Sequence, residues 1–118
     1  MSNSFPSATK VVVIGGGVAG CSVAYHLAKF GWKDTILLER DQLTSGTTWH
    51  AAGLIGQLGS SATITKFRKY SLDLYKKLEK ETGLSTGLKQ NGAITVATTS
   101  GRLEELKRQA TTAQLFDV

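Results

Sequence analysis

The sequence predicts an α/β fold, and three observations near its N-terminus support this. Two short apolar runs, residues 10–14 and 35–38, are rich in β-branched side chains and have the composition of buried parallel strands. Residues 18–30 lie between them and place small and apolar side chains at helical spacing, with Gly31 positioned as the helix C-cap. A strand, a helix and a strand within about 30 residues form one right-handed crossover unit, the building block of a doubly wound, Rossmann-like sheet.

A glycine-rich loop joins the first strand to the helix and fits the pattern G-x-G-x-x-G at residues 15–20. We expect Gly15 to make the tight turn, Gly17 to let the backbone approach a pyrophosphate, and Gly20 to let the helix pack closely on the strand. Glu39 ends the second strand, where its carboxylate can accept hydrogen bonds from ribose hydroxyls and repel a 2′-phosphate. The pattern therefore predicts a dinucleotide and disfavours NADP, while FAD and NAD both remain open.

Residues 41–61 form a long segment without periodicity, rich in Gly, Ser and Thr. Ordered loops of about 20 residues are uncommon in compact domains and are more often functional. A long polar loop beside a dinucleotide favours FAD over NAD. The segment offers hydroxyl groups and flexible backbone to phosphate oxygens at Ser45, Gly46, Thr47, Thr48 and Gly53.

The second half of the chain predicts a helix, a strand and a helix. The first helix covers 61–82 and is capped by Gly83; its apolar stripe consists of Ile64, Phe67, Ser71, Leu74 and Leu78. A strand is expected at 93–97, after the turn Asn91-Gly92, and a final helix follows with Thr99 or Ser100 as its N-cap.

Composition narrows the possible functions. Fourteen basic and nine acidic residues give a net charge of +5, and six of the basic residues fall in the predicted helix 61–82. We interpret that basic face as solvated, beside a cofactor with two phosphates, and expect no nucleic-acid partner. One cysteine, Cys21, and two histidines leave no disulfide and predict no metal site. No run reaches the roughly 18 apolar residues of a membrane helix, and no leader is apparent, so we expect a bacterial cytoplasm, or a mitochondrial matrix if a leader has been removed.

Several segments resemble the sarcosine dehydrogenase and dimethylglycine dehydrogenase family, FAD-dependent amine oxidoreductases of the D-amino-acid-oxidase-like superfamily. The most specific is Thr47-Thr-Trp-His-Ala-Ala-Gly53, within a resemblance that runs from about Val11 to Arg108. The other matching segments are 11–17, 37–40, 43–54, 81–83 and 90–94. The resemblance implies that the segment 43–54 runs along the cofactor, with FAD contacts that include Leu54 within it and Arg40 before it. It also implies that His50 is covalently joined to the 8α carbon of the flavin.

The resemblance further implies what the whole protein does. The family oxidises the CH–NH group of N-methylated glycine derivatives, passes electrons to an electron-transferring flavoprotein or to oxygen, and can use tetrahydrofolate at a C-terminal module. Alternatives are a non-catalytic relative, such as the regulatory subunit of pyruvate dehydrogenase phosphatase, another FAD-dependent amine or amino-acid oxidase, and a nicotinamide-dependent enzyme. We assign no catalytic residue.

Only two strands fit the predicted sheet, whereas a doubly wound dinucleotide sheet has about five or six. We therefore expect the N-terminal part of a longer flavoprotein, in which residues 1–60 form an incomplete FAD-binding unit and residues 61–118 lead into a substrate domain. We expect the chain alone not to turn over.

Overall fold

The computed structural model describes residues 6–118. It confirms the α/β prediction, with helices and a small parallel sheet. The elements in chain order are strand β1 (Val11–Ile14), helix α1 (Val18–Lys29), strand β2 (Thr35–Leu38), a 3₁₀ turn (Thr47–His50), helix α2 (Ala62–Thr82) and helix α3 (Ser100–Leu115). The chain divides into two compact units, one ending at Gly53 and the other running from Leu54 to Val118.

The first unit contains a two-stranded parallel sheet. Strands β1 and β2 pair in register from Val11 with Thr35 to Ile14 with Leu38. Helix α1 connects them and packs against both strands. Side chains alternate along β1, so Val11 and Val13 are half-buried whereas Val12 and Ile14 are exposed. This is the predicted crossover unit.

Helix α1 ends one residue earlier than predicted. The C-cap is Phe30, whose backbone N–H donates to a carbonyl of the last helical turn. Gly31 follows it with φ +87°. The prediction of Gly31 as the cap was wrong by one position because the left-handed glycine stands just beyond the cap, the usual place for such a residue.

Helix α2 begins at Ala62, one residue after the predicted start, and ends at Thr82 as predicted. The Ser61 hydroxyl accepts a hydrogen bond from the N–H of Ile64, and Gly83 is the C-cap with φ +70°. The predicted stripe on this helix was partly wrong, because Ile64 and Phe67 are exposed and the fully buried residues are Thr65 and Leu72.

Polar contacts of Thr65 explain why the buried face of α2 differs from the predicted apolar stripe. The Thr65 hydroxyl donates to the carbonyl of Ser61 at 2.9 Å and accepts from the N–H of Gly59 at 3.0 Å. These two bonds satisfy the Thr65 hydroxyl and place this polar residue on the buried face of α2. A periodicity of apolar residues does not detect such a position.

The strand predicted at 93–97 does not form in the described part of the chain, so that prediction was wrong. Ile94 is 95% exposed and no strand pairs with this segment. A β-branched run becomes a strand only where a neighbour satisfies its backbone groups. Helix α3 then begins after Thr99, whose hydroxyl accepts from the N–H of Arg102, as predicted for one of the two candidate caps.

Candidate functional site

The candidate site is a cleft of about 770 Å³ in the first unit, a volume typical of small-molecule sites. It lies at the carboxyl ends of β1 and β2, the position where open α/β sheets bind ligands. Eight of the predicted site residues line it: Gly15, Gly17, Glu39, Arg40, Ser45, Gly46, Thr47 and Thr48. Gly20, His50 and Gly53 belong to the same unit outside that lining, and Leu54 belongs to the second unit.

The glycine loop has the geometry that its sequence predicts. Gly15 adopts φ +101°, which favours glycine, and its N–H donates to the carbonyl of Leu38 at 2.8 Å. A Cβ on Gly20 would lie 1.8 Å from the carbonyl oxygen of Gly15, so only glycine permits this approach of helix to loop. Gly17 is the N-cap of α1, which aims the helix N-terminus into the cleft.

Gly16 is a position of the loop to which the sequence pattern assigned no role. It is the buried member of the loop, and a Cβ there would lie 2.5 Å from the Leu43 side chain and 3.1 Å from Cβ of Glu39. Its N–H donates to Glu39 Oε2 at 2.6 Å. A side chain at this first x of the fingerprint would require the end of the Leu43 side chain to move and the Glu39 side chain to shift by a few tenths of an ångström.

Glu39 is held by backbone donors at the end of β2. Besides Gly16, the N–H of Asp41 donates to the Oε1 atom of Glu39 at 3.1 Å. Backbone hydrogen bonds from Gly16 and then Asp41 lower the pKa of the Glu39 carboxyl below its ordinary 4.5, so it is ionised at neutral pH. Each carboxylate oxygen has a second lone pair, which leaves the group able to accept from a ribose hydroxyl.

The loop after β2 docks on the glycine loop by backbone and side-chain contacts. The N–H of Thr44 donates to the carbonyl of Gly16 at 2.9 Å, and Thr44 itself adopts φ +66°. Farther along, the Thr48 hydroxyl accepts from the N–H of Val18 at 2.9 Å. Leu43 and Thr44 were not among the predicted site residues, because no short-range pattern shows which loop residue will meet Gly16.

His50 closes the 3₁₀ turn and is exposed. Its Nδ1 lies 3.1 Å from the carbonyl oxygen of Gly46. A carbonyl only accepts, so Nδ1 is the donor in this contact, and in the neutral imidazole the lone pair is then on Nε2. The Trp49 ring lies beside the imidazole, with ring centroids 5.4 Å apart.

Residues 6–118 form neither a metal centre nor a membrane-spanning helix. No group of three or more His, Cys, Asp and Glu side chains there could hold a metal ion. In the same range, no helix combines the length and the apolar character needed to span a membrane.

The chain is similar to proteins of known activity. Residues 10–117 match the family model described as FAD dependent oxidoreductase. Dimethylglycine dehydrogenase from Homo sapiens is 50% identical over 102 residues, 86% of this chain and 12% of that protein. Sarcosine dehydrogenase from Homo sapiens is 46% identical over 118 residues, 99% of this chain and 13% of that protein.

A bacterial oxidase is similarly related. The 4-methylaminobutanoate oxidase (formaldehyde-forming) of Paenarthrobacter nicotinovorans is 48% identical over 101 residues, 86% of this chain and 12% of that protein. The chain thus spans 12 to 13% of the length of these curated relatives.

Proposed function

The chain belongs to the FAD-dependent oxidoreductase family, and we propose that it carries the FAD-binding part of an enzyme that oxidises the CH–NH group of N-methylated amino acids. The cleft at the ends of β1 and β2 supports the proposal most directly, because it joins the glycine loop, the ionised Glu39 and a hydroxyl-rich loop in one unit. In this proposal β1, α1 and β2 begin a Rossmann-like doubly wound domain. Residues 61–118 lead into the substrate domain.

The donor set in the cleft fits the adenosine diphosphate half of FAD. The N-terminus of α1 and the hydroxyl groups of the loop offer N–H and O–H donors to phosphate oxygens. Gly17 leaves room for the backbone to approach, and Glu39 accepts from the ribose hydroxyls. The full predicted set is Gly15, Gly17, Gly20, Glu39, Arg40, Ser45, Gly46, Thr47, Thr48, His50, Gly53 and Leu54.

The charge of Glu39 favours FAD over NADP. A carboxylate that the Gly16 and Asp41 N–H groups hold ionised repels a 2′-phosphate at the ribose. Arg40 also lines the cleft and could attract such a phosphate, but the ribose-binding position at the end of β2 belongs to Glu39. A 2′-phosphorylated nucleotide is therefore expected to bind more weakly than ADP.

His50 is the proposed covalent attachment point of the flavin. The carbonyl of Gly46 keeps the proton on Nδ1, so the nucleophilic lone pair stands on Nε2 of an exposed ring. We expect the bond to form at Nε2. Denaturation in acid tests this: yellow colour should stay with the wild-type polypeptide and wash out of His50→Ala. Equal release of flavin from both proteins would contradict the linkage.

Bound flavin supplies a two-electron acceptor for the C–H bond beside the substrate nitrogen. The residues of this chain hold that acceptor, and none of them is assigned to proton transfer or substrate binding. The names of the relatives support an N-methyl amino acid as substrate, with sarcosine or dimethylglycine the first candidates. We also propose an electron-transferring flavoprotein or oxygen as acceptor, and a bacterial cytoplasm or a mitochondrial matrix as location. For tetrahydrofolate we propose a site in a C-terminal module, at residues outside this chain.

Flavin absorbance tests the proposed activity. The protein that contains this chain should be yellow, and its absorbance should bleach anaerobically on addition of sarcosine, dimethylglycine or 4-methylaminobutanoate. Bound flavin that none of these compounds bleaches would indicate a non-catalytic relative or a different amine or amino-acid oxidase. Absence of any bound flavin would contradict the proposal itself.

A further inference from the structure

Residues 83–88 follow helix α2 and fold back on its last turn; we call them the α2 corner. Gly83 and Gly87 each adopt φ +70°, so the chain enters the left-handed region twice within five residues. Between the two glycines lie the hydroxyl side chains of Ser85 and Thr86. A segment of this composition is flexible unless specific contacts hold it.

The carboxylate of Glu79, on α2, holds the corner. Its Oε1 atom accepts from the backbone N–H of Thr86 at 2.7 Å and from the hydroxyls of Thr86 and Ser85, both at 3.0 Å. These bonds, the one from the Thr86 N–H first, lower the pKa of the Glu79 carboxyl below its ordinary 4.5, so the group is ionised at neutral pH. All three hydrogen bonds are therefore charge-assisted.

The two hydroxyl groups extend this contact along the chain. The Ser85 hydroxyl accepts from the N–H of Gly87 at 3.1 Å, and the Thr86 hydroxyl accepts from the N–H of Leu88 at 3.4 Å. A hydroxyl can donate one bond and accept another at the same time. The backbone N–H groups of residues 86–88 therefore depend on Glu79, the first directly and the other two through a hydroxyl.

The place of Glu79 on the helix is unfavourable for a carboxylate. The last turn of a helix carries a partial negative charge on its free carbonyl groups and favours a cation. Glu79 lies in the turn that ends at Thr82, and its own carbonyl accepts from the N–H of Gly83 at 3.0 Å. The donors of the α2 corner offset this repulsion, so the carboxylate is stabilised there while the corner is folded back.

We propose that Glu79 is a positioning residue that makes residues 83–88 a rigid corner and fixes the direction in which the chain leaves α2. The inference rests on the proposed function in one respect, because there the residues that follow the corner lead into the substrate domain. Without Glu79 that segment would move and the amine would bind more weakly. The flavin would stay, since its proposed contacts all lie between residues 15 and 54.

Amide hydrogen exchange in the whole protein that contains this chain tests the corner. Glu79→Ala removes the acceptor and keeps a strong helix former, whereas Glu79→Gln keeps an uncharged acceptor. Exchange over residues 84–88 should be roughly 10-fold faster in Glu79→Ala than in the wild type, with Glu79→Gln between them. Asp73→Ala is the matched control, because Asp73 is an exposed carboxylate on the same helix, 3.9 Å from Nζ of Lys76, and should exchange like the wild type.

Steady-state kinetics tests the positioning role, with whichever of sarcosine, dimethylglycine and 4-methylaminobutanoate bleaches the flavin. Glu79→Ala should raise KM roughly 3- to 10-fold with kcat within about 2-fold of the wild type, because the loss is in substrate binding. Flavin content should be unchanged, Glu79→Gln should recover part of the KM, and Asp73→Ala should match the wild type.

The two measurements fail separately. Unchanged exchange over residues 84–88 in Glu79→Ala would overturn the rigid corner. An unchanged KM, or flavin lost together with activity, would overturn the positioning role, since the second result indicates general unfolding. If the wild type oxidises none of the three amines, the proposed function fails, while the exchange rates still decide whether Glu79 holds the corner.

Discussion

Replacing Gly20 with alanine tests the close approach of α1 to the glycine loop. The new Cβ would lie 1.8 Å from the carbonyl oxygen of Gly15 and 3.0 Å from its carbonyl carbon. A relaxed carbon–oxygen contact is about 3.3 Å, so the helix and loop must separate by about 1.5 Å. Gly15 cannot yield easily, because its N–H is bonded to the Leu38 carbonyl and its φ of +101° defines the turn.

The expected magnitude follows from two opposing effects. Overpacking costs about 1–3 kcal/mol, and a clash with backbone belongs at the upper end of that range. Alanine is preferred over glycine in a helix by about 0.8–1 kcal/mol. The free energy of unfolding of Gly20→Ala should therefore fall by about 2 kcal/mol. At roughly 4–8 °C per kcal/mol for a small domain, Tm falls by about 8–16 °C.

Gly101→Ala is the matched control, because Gly101 also lies in the first turn of a helix but a Cβ there meets nothing within 4 Å. Its Tm should stay level or rise, since only the helix preference acts. Thermal melts followed by far-UV circular dichroism compare the two variants. If Gly20→Ala melts like Gly101→Ala, the loop does not pack against α1 as described and the reasoning is refuted.

Three other substitutions test separate features. The pKa of Glu39 is lowered in the folded chain, so the ionised carboxylate stabilises the fold above pH 4.5, and this stabilisation is lost as the pH falls through the folded pKa. Denaturant unfolding from about pH 6 to pH 3 should therefore show a smaller loss of stability for Glu39→Gln than for the wild type. An equal loss in the two proteins would contradict the lowered pKa. Ser61→Ala removes the cap of α2 and should lower the free energy of unfolding by about 1 kcal/mol, whereas the neighbouring Ser60→Ala should change it by less than about 0.5 kcal/mol in the same urea titration. Gly83→Ala places a side chain at φ +70° and should cost about 1 kcal/mol in thermal melts, with Gly83→Asn affected less; an Ala variant as stable as the wild type would contradict the left-handed cap.

Local features of the fold could be predicted because each depends on neighbours in sequence. The β-branched runs and the glycine loop predicted β1, α1 and β2, and Ser61 and Gly83 marked the ends of α2. These signals arise from backbone preference and capping, which act within a few residues. The structure shows each of these elements within one residue of its predicted bounds.

Features that depend on a distant partner could not be predicted. The run 93–97 has strand composition but no partner strand among the described residues. Strand pairing is a tertiary property. The buried face of α2 was missed for a different reason, because Thr65 is bonded to Ser61 and Gly59, four and six residues away, and an apolar periodicity does not detect such local polar contacts.

The candidate site also combines features that the sequence predicts with features that it does not. The fingerprint identified Gly15, Gly17 and Glu39 as a group, and the structure brings them to one cleft. The docking of Thr44 on Gly16 joins residues 28 positions apart, and no motif specifies it. The roles of the individual residues toward FAD, and the domain boundary at residue 60, remain predictions.

Peptide mass mapping of the flavin-containing protein tests the central claim most directly. Trypsin cleaves after Arg40 and Lys66, so His50 falls in the peptide 41–66, while His26 and Cys21 fall in the separate peptide 11–29. We predict that peptide 41–66 gains the mass of FAD and that His50→Ala abolishes the gain while ADP still binds. Flavin attached to another peptide, or flavin released completely by denaturation, would contradict the assignment of residues 43–54 as the segment that tethers the cofactor.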